Sequence, residues 1–455
     1  MGRTTLLYLL LIGSAGGAML LATNSCSNGK PFQNPQDPKI QHVVIVFQEN
    51  RTPDNLFQDP VLIAAGADIA SSGVNSSGQT IPLSRAPLGV GYDLGHSHAD
   101  FVAQYDGGKM DGADKVSVGC YQPPCPANPQ FFSVNPSEVQ PYFQMAEQYA
   151  FGDRMFQTNE GPSFPAHQFI IAGTSAPTSN SNLFFAENTY SVVSAKAYTG
   201  CAPANPSALV AIINPWGKEF GTAYPCAEHP SLTDQLDAKN LSWRYYTPSA
   251  NSIWTAPNAI EHLCGPNAPP PNGTACVGSD WVNNVVTYSA LKPAPILTDI
   301  ANHQLPTVSW VIPAGKNSDH AGSATTVGGP SWVAAIVNAI GNSSYWSNTA
   351  IIVTWDDWGG WYDHVPPPQV IQDGKAWGSG YVRFPRALNC NLSLRSPRPH
   401  IPCSPRLRQH SSHAGGDFWP LLARVCGCVR RRSLGLFQFQ SDSAAVSHHQ
   451  CGPER

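Results

Sequence analysis

"IQHVVIVFQEN", residues 40–50, is the stretch from which the fold can be read. Five apolar residues run without a break from Val43 to Phe47, four of them aliphatic and three of those valine. A short, β-branched run with no polar face predicts a strand buried on both sides of a parallel sheet. It ends in Glu49 and Asn50, and "RTPDNLF" follows with helix-start signals. "TAIIVTWDD", residues 349–357, repeats the pattern: apolar strand, acidic pair, Gly-rich turn. Further strands are expected at 148–156, 242–248 and 306–313, and a helix at 331–343. Strands alternating with helices predict an α/β fold with a mostly parallel central sheet flanked by helices. Ligands of such sheets collect beyond the carboxyl ends of the strands.

Glu49, Asn50, Asp356 and Asp357 all fall at such ends. If the two strands are neighbours, three carboxylates and an amide converge. A divalent cation would offset their repulsion, and oxygen donors suit hard metals. The competing reading of Asp356 and Asp357 is that they cap a helix or fix the Gly turn. Ser163, in "NEGPSFPAH", precedes a helical stretch. A hydroxyl beside a cation can ionise and attack phosphorus; the plainer reading of a serine before a helix is an N-cap.

Composition bounds the rest. The 455 residues are 12% charged, with 39 Gly and 42 Pro, which fits a loop-rich globular chain. A net charge of −4 points to neither nucleic acid nor an acidic surface as partner. "MGRTTLLYLLLIGSAGGAMLLATNSC", residues 1–26, has the grammar of a secretory signal, so export to the cell envelope or beyond is expected. Cys26 leaves a lipoprotein open, and membrane contact is expected only through this segment or a lipid substrate. Cys120, Cys125, Cys201, Cys226, Cys264 and Cys276 form an even set that suits disulfides, most simply in sequential pairs; free thiols are the alternative.

Taken together, "HVVIVFQENRTPDNLF", "GGKMDG" (107–112), "NEGPSFPAH", "SDHAG" (318–322) and "WDDWGGWYDHVPPP" (355–368) resemble the bacterial phosphoesterase family. That family includes acid phosphatases and phospholipases C and shares the alkaline-phosphatase superfamily core. The resemblance spans residues 38–380. It implies an exported, metal-dependent phosphate-ester hydrolase, acid phosphatase-like, acting through a phosphoserine. The alternative within the class is a phospholipase C acting on lipid head groups. One divalent metal is implied, on Glu49, Asn50, Ser163, Asp356 and Asp357, with Ser163 as nucleophile. His96 in "DLGHSH", His262 in "NAIEHLCG" and His320 in "SDHAG" match the histidines that line the phosphate site. Asp363 and His364 belong to the signature, with a structural role in view. Where many members have His-Pro-Asn after the nucleophile, this chain has Phe-Pro-Ala-His.

The last part departs from the family. Residues 378–455 hold 11 arginines, no lysine and three acidic residues, with Cys390, Cys403, Cys426, Cys428 and Cys451. Such a composition is what a shifted reading frame in GC-rich DNA yields. Residues 381–455 are therefore expected to be an aberrant basic tail; an evolved basic tail is the alternative. A foreign tail would cost the sheet a strand, leaving an inactive relative that serves only for binding as a further reading.

Overall fold

The structure is a computed structural model. It describes residues 40–157, 159–191, 199–202, 207–288 and 294–367, with the backbone of strands at 370–372, 375–377 and 385–392. Seven strands form the central sheet: β1 (His42–Gln48), β2 (Ala150–Phe156), β3 (Trp243–Thr247), β4 (Val285–Thr287), β5 (Val308–Val311), β6 (Thr349–Trp355) and β7 (Pro385–Leu392). Their order is β4-β3-β5-β1-β6-β7-β2. The first five in that order are mutually parallel. β7 runs antiparallel to both of its neighbours. The fold is thus α/β around a mostly parallel sheet, as the apolar runs predict, and the expected strands shorten by one or two residues at their ends.

The side chains of β1 explain why it has no polar face. Four helices pack nearby: α1 (Gln140–Gln148), α2 (Ser163–Ala172), α3 (Pro295–Ala301) and α4 (Gly328–Gly341). Val44 and Val46 join Ile351, Val353 and Trp355 of β6 in a core with Tyr142, Ile300 and Ile336 from α1, α3 and α4. Val43, Ile45 and Phe47 join Ala350 and Ile352 in a second core with Ile171 of α2. Alternate residues of one strand therefore bury into opposite layers. Ile45, 4% exposed, has no solvent face to retreat to. We expect Ile45→Ala to cost about 2–5 kcal/mol in urea denaturation.

The six body cysteines pair sequentially, Cys120–Cys125, Cys201–Cys226 and Cys264–Cys276. β7 falls inside the segment expected to be foreign, yet its backbone pairs Ala350 with Leu392 on one side and Phe156 with Pro385 on the other. The sheet therefore draws a strand from it. Residues 1–26 and 393–455, with the readings attached to them, lie outside the described residues. Among the described residues no helix is long and apolar enough to cross a membrane.

Candidate active site

Parallel pairing of β1 with β6 sets Gln48 against Trp355. The next residues in each strand, Glu49 with Asn50 and Asp356 with Asp357, therefore leave the sheet side by side. The Asn50 backbone N–H donates to Asp356 Oδ1 at 3.1 Å. Asn50 has φ 24°, a left-handed turn that asparagine tolerates better than most residues. All four residues are buried, at 2% exposure or less.

The Gly-Gly turn after the acid pair folds over the end of β1. Asp357 Oδ1 accepts from the Gly359 N–H at 2.7 Å. Gly359 has φ +64°, and a Cβ there would sit 2.1 Å from the Asn50 carbonyl oxygen. Only glycine fits both the angle and the approach. Gly359→Ala is expected to displace Asn50 and to lower thermal stability by about 1–3 kcal/mol or more, read by calorimetry.

Helix α2 brings the serine. Ser163 is its first helical residue; the N-cap is Pro162, and no side chain caps the helix. Freed from capping, the Ser163 Oγ–H points at two acceptors, Asp357 Oδ2 at 3.1 Å and Glu49 Oε2 at 3.3 Å. One turn further, His167 Nε2 lies 3.1 Å from Glu49 Oε1 and 3.8 Å from Asp356 Oδ2. Sequence reasoning missed His167. The signal was there: a histidine four residues after the serine, hence on the same helix face.

Two more histidines border this group. His96 Nε2 lies 3.5 Å from Asn50 Nδ2. Its ring and that of His320 are 5.8 Å apart. In each, Nδ1 faces a backbone carbonyl, Leu94 O at 2.8 Å and Ala321 O at 2.6 Å, which assigns the proton there and leaves Nε2 as the working nitrogen. Gln48 places His320: its Oε1 accepts from the Asp319 N–H at 2.9 Å and its Nε2 donates to the Asn317 carbonyl at 3.1 Å. Burial pushes the His96 imidazole down, but Asp357 and Asp93 outweigh it, so His96 titrates above its ordinary value. His320 lacks enough of that support, and burial holds it below. Burial, then Asp356 and Asp357, raise the Glu49 carboxyl well above the carboxylate range.

The structure therefore brings Glu49, Asn50, Ser163, Asp356, Asp357, His96 and His320 together, and does not bring His262 to them. His262 Nδ1 lies 2.9 Å from Glu228 Oε1 and its Nε2 3.2 Å from Asp234 Oδ1. Its sequence surroundings matched a motif, but these partners, 34 and 28 residues away in the sequence, decide its contacts. The hydrogen bond to Asp234 lifts it to about 9. A raised imidazole value means stability present in full below the unfolded value of about 6.5 and lost as pH rises through 9. His262→Ala is therefore expected to lower the melting temperature at pH 6, to match the unaltered chain near pH 10, and to leave turnover unchanged.

The Ser163 group fits a cation. Donor atoms of Glu49, His167 and Asp356 all lie within 4.8 Å of one another. Asn50 Oδ1 is buried and accepts no hydrogen bond among the described residues. Three buried carboxylates, an orphaned amide oxygen, a hydroxyl and one imidazole form a donor set for a divalent metal, and burying such charges without a counter-charge is costly.

Residues 40–405 match the model described as the phosphoesterase family. Phospholipase C B of Mycobacterium tuberculosis is 23% identical over 358 residues, covering 72% of this chain and 60% of that protein. A non-hemolytic phospholipase C of Pseudomonas aeruginosa is 23% identical over 350 residues, 72% of this chain and 43% of that one. Non-specific phospholipase C6 of Arabidopsis thaliana is 22% identical, covering 83% and 64%. The chain thus spans less than two thirds of the length of each. A solved structure described as a protein in the alkaline phosphatase superfamily from Vibrio parahaemolyticus aligns at 11% identity and a TM-score of 0.31, covering 77% of this chain and 60% of that one. The sheet order and the family match, not this last likeness, carry the fold assignment.

Proposed function

Since the chain belongs to the phosphoesterase family, we propose that it hydrolyses phosphate esters outside the cytoplasm, with Ser163 as nucleophile. The observation that carries this is the Ser163 hydroxyl, uncapped at the start of α2 and aimed at Glu49 and Asp357. Three disulfides favour an oxidising compartment. Glu49, Asn50, Ser163, Asp356 and Asp357 would hold one divalent cation, with His167 beside them. When bound, the cation supplies positive charge that favours the serine alkoxide and neutralises a phosphoryl oxygen.

The chain's own groups do the rest. The Ser163 proton passes to Asp357 Oδ2, the nearer of the two carboxyl oxygens it faces, since burial and its acidic neighbours bias Glu49 towards its protonated form. Oγ then bonds to phosphorus as the ester oxygen departs, giving a phosphoserine. The leaving oxygen needs a proton, and His96, held above its ordinary value by Asp357 and Asp93, suits that task. His320, neutral with its proton on Nδ1, offers Nε2 as an acceptor to the water that later attacks the phosphoserine. Phe164 N–H is already committed to Asn188 Oδ1 at 2.9 Å, so the charge on the phosphoryl oxygens is met by the cation and the His96 imidazolium instead of the helix start. Water hydrolyses the phosphoserine and restores the hydroxyl.

The relatives' names favour phospholipid head groups over small monoesters. Incubating the full chain with phosphatidylcholine and, separately, with p-nitrophenyl phosphate separates the two. Release of phosphocholine supports the lipid substrate. Free phosphate from the monoester alone assigns an acid phosphatase-like enzyme. Folded protein inert towards both identifies a binding relative.

A further inference from the structure

A second set of buried acids lies outside the Ser163 site. Asp54 sits in the helix Pro53–Leu56, and Asp363 and His364 follow the Gly-Gly turn. One donor atom from each lies within 4.8 Å of the others. Asp54 and Asp363 are each 1% exposed. Asp54 Oδ2 accepts from the His364 backbone N–H at 2.8 Å and lies 2.7 Å from His364 Nδ1. The far nitrogen, Nε2, is 2.9 Å from Asp68 Oδ1. Arg154 Nε in turn donates to Asp68 Oδ2 at 2.9 Å. Asp363 Oδ1 accepts from the Val365 N–H at 2.9 Å, but Asp363 Oδ2 is enclosed and meets no hydrogen-bond donor among the described residues. An anionic oxygen enclosed in this way needs positive charge.

We propose that Asp54, Asp363 and His364 hold a second divalent cation, distinct from the one at Ser163, with Asp68 orienting the imidazole from behind. Nδ1 ligates and Nε2–H donates to Asp68, the relation in which a carboxylate fixes a metal-binding histidine. Without a cation, a proton bridges Nδ1 and Asp54 Oδ2; binding exchanges that proton for the metal. Two carboxylates and an imidazole suit zinc or manganese. Burial and then Asp54 hold the Asp363 carboxyl well above its ordinary value, in keeping with a site short of positive charge. The cation ties the loop after the signature to residues 54 and 68. Thr52 Oγ1, which donates to the Tyr362 carbonyl at 2.7 Å, makes a parallel link.

The test is metal stoichiometry of the full chain after equilibrium dialysis against Mn2+ or Zn2+. Two equivalents are expected, falling to one in Asp363→Asn and to one in Asp356→Asn. His364→Gln, at a less buried position, must lose the same ion as Asp363→Asn, which guards against a folding defect. Asp68→Asn is expected to keep two ions, one of them bound about 10–100-fold more weakly. Stoichiometry unchanged in both Asp363→Asn and His364→Gln overturns the proposal, as does no bound ion at all. One ion lost only in Asp356→Asn overturns it while leaving the Ser163 reading intact. One ion lost only in Asp363→Asn upholds it and removes the cation from the Ser163 site.

Discussion

Ser163→Ala is expected to lower phosphate-ester turnover on the order of 10⁴-fold, because removing a nucleophile leaves only binding and electrostatic effects. The loss should fall on kcat, with KM changed little. Substrate binding rests on His96, which the substitution spares, and on the cation, which would lose one ligand but keep Glu49, Asn50, Asp356, Asp357 and His167. The fold should survive. Ser163 caps nothing, and its hydroxyl donates into acids that already lie against His167 and Gly359. Trapping supplies the sharper readout: acid-quenched wild type should carry one phosphate on residue 163, and the alanine variant none. Turnover retained within tenfold would remove Ser163 from the mechanism.

The second large effect concerns Asp356→Asn, and it has two signs. With metal present, the variant should lose at least about 10²-fold in cation affinity, more than removal of an outer partner costs, and most activity with it. With metal stripped by a chelator, the order should invert. Asp356 raises the Glu49 carboxyl, which is to say that the two acids oppose each other's ionisation. An amide at 356 relieves that opposition and still accepts from the Asn50 N–H. The stripped variant should therefore melt above stripped wild type, by roughly 1–2 °C per kcal/mol regained. Scanning calorimetry at pH 7 with and without chelator decides it. Identical melting of the two stripped proteins would mean that these carboxylates do not strain the site.

The sequence made some of this plain and hid the rest for identifiable reasons. Val43–Phe47 and Ala350–Val353 could be read as buried strands because no polar residue interrupts them. The acids at their ends could be read as a site because parallel sheets place ligands there. Their actual meeting depends on β1–β6 pairing across about 300 residues, which no local pattern encodes. His167 was hidden by an atypical segment, and His262 was favoured by its neighbours in sequence when Glu228 and Asp234 decide its contacts. The Asp54–His364 contact spans 310 residues and carried no signal in either stretch alone.

β7 gives the divergent end of the chain leverage over the chemistry. It is the rung between β6, which ends in the acid pair, and β2, which ends seven residues before Ser163. A polypeptide stopping short of Pro385 would keep every site residue. It would still unhitch the serine's own strand from the rest of the sheet, so damage to the gene's last fifth would be felt first as a nucleophile out of aim.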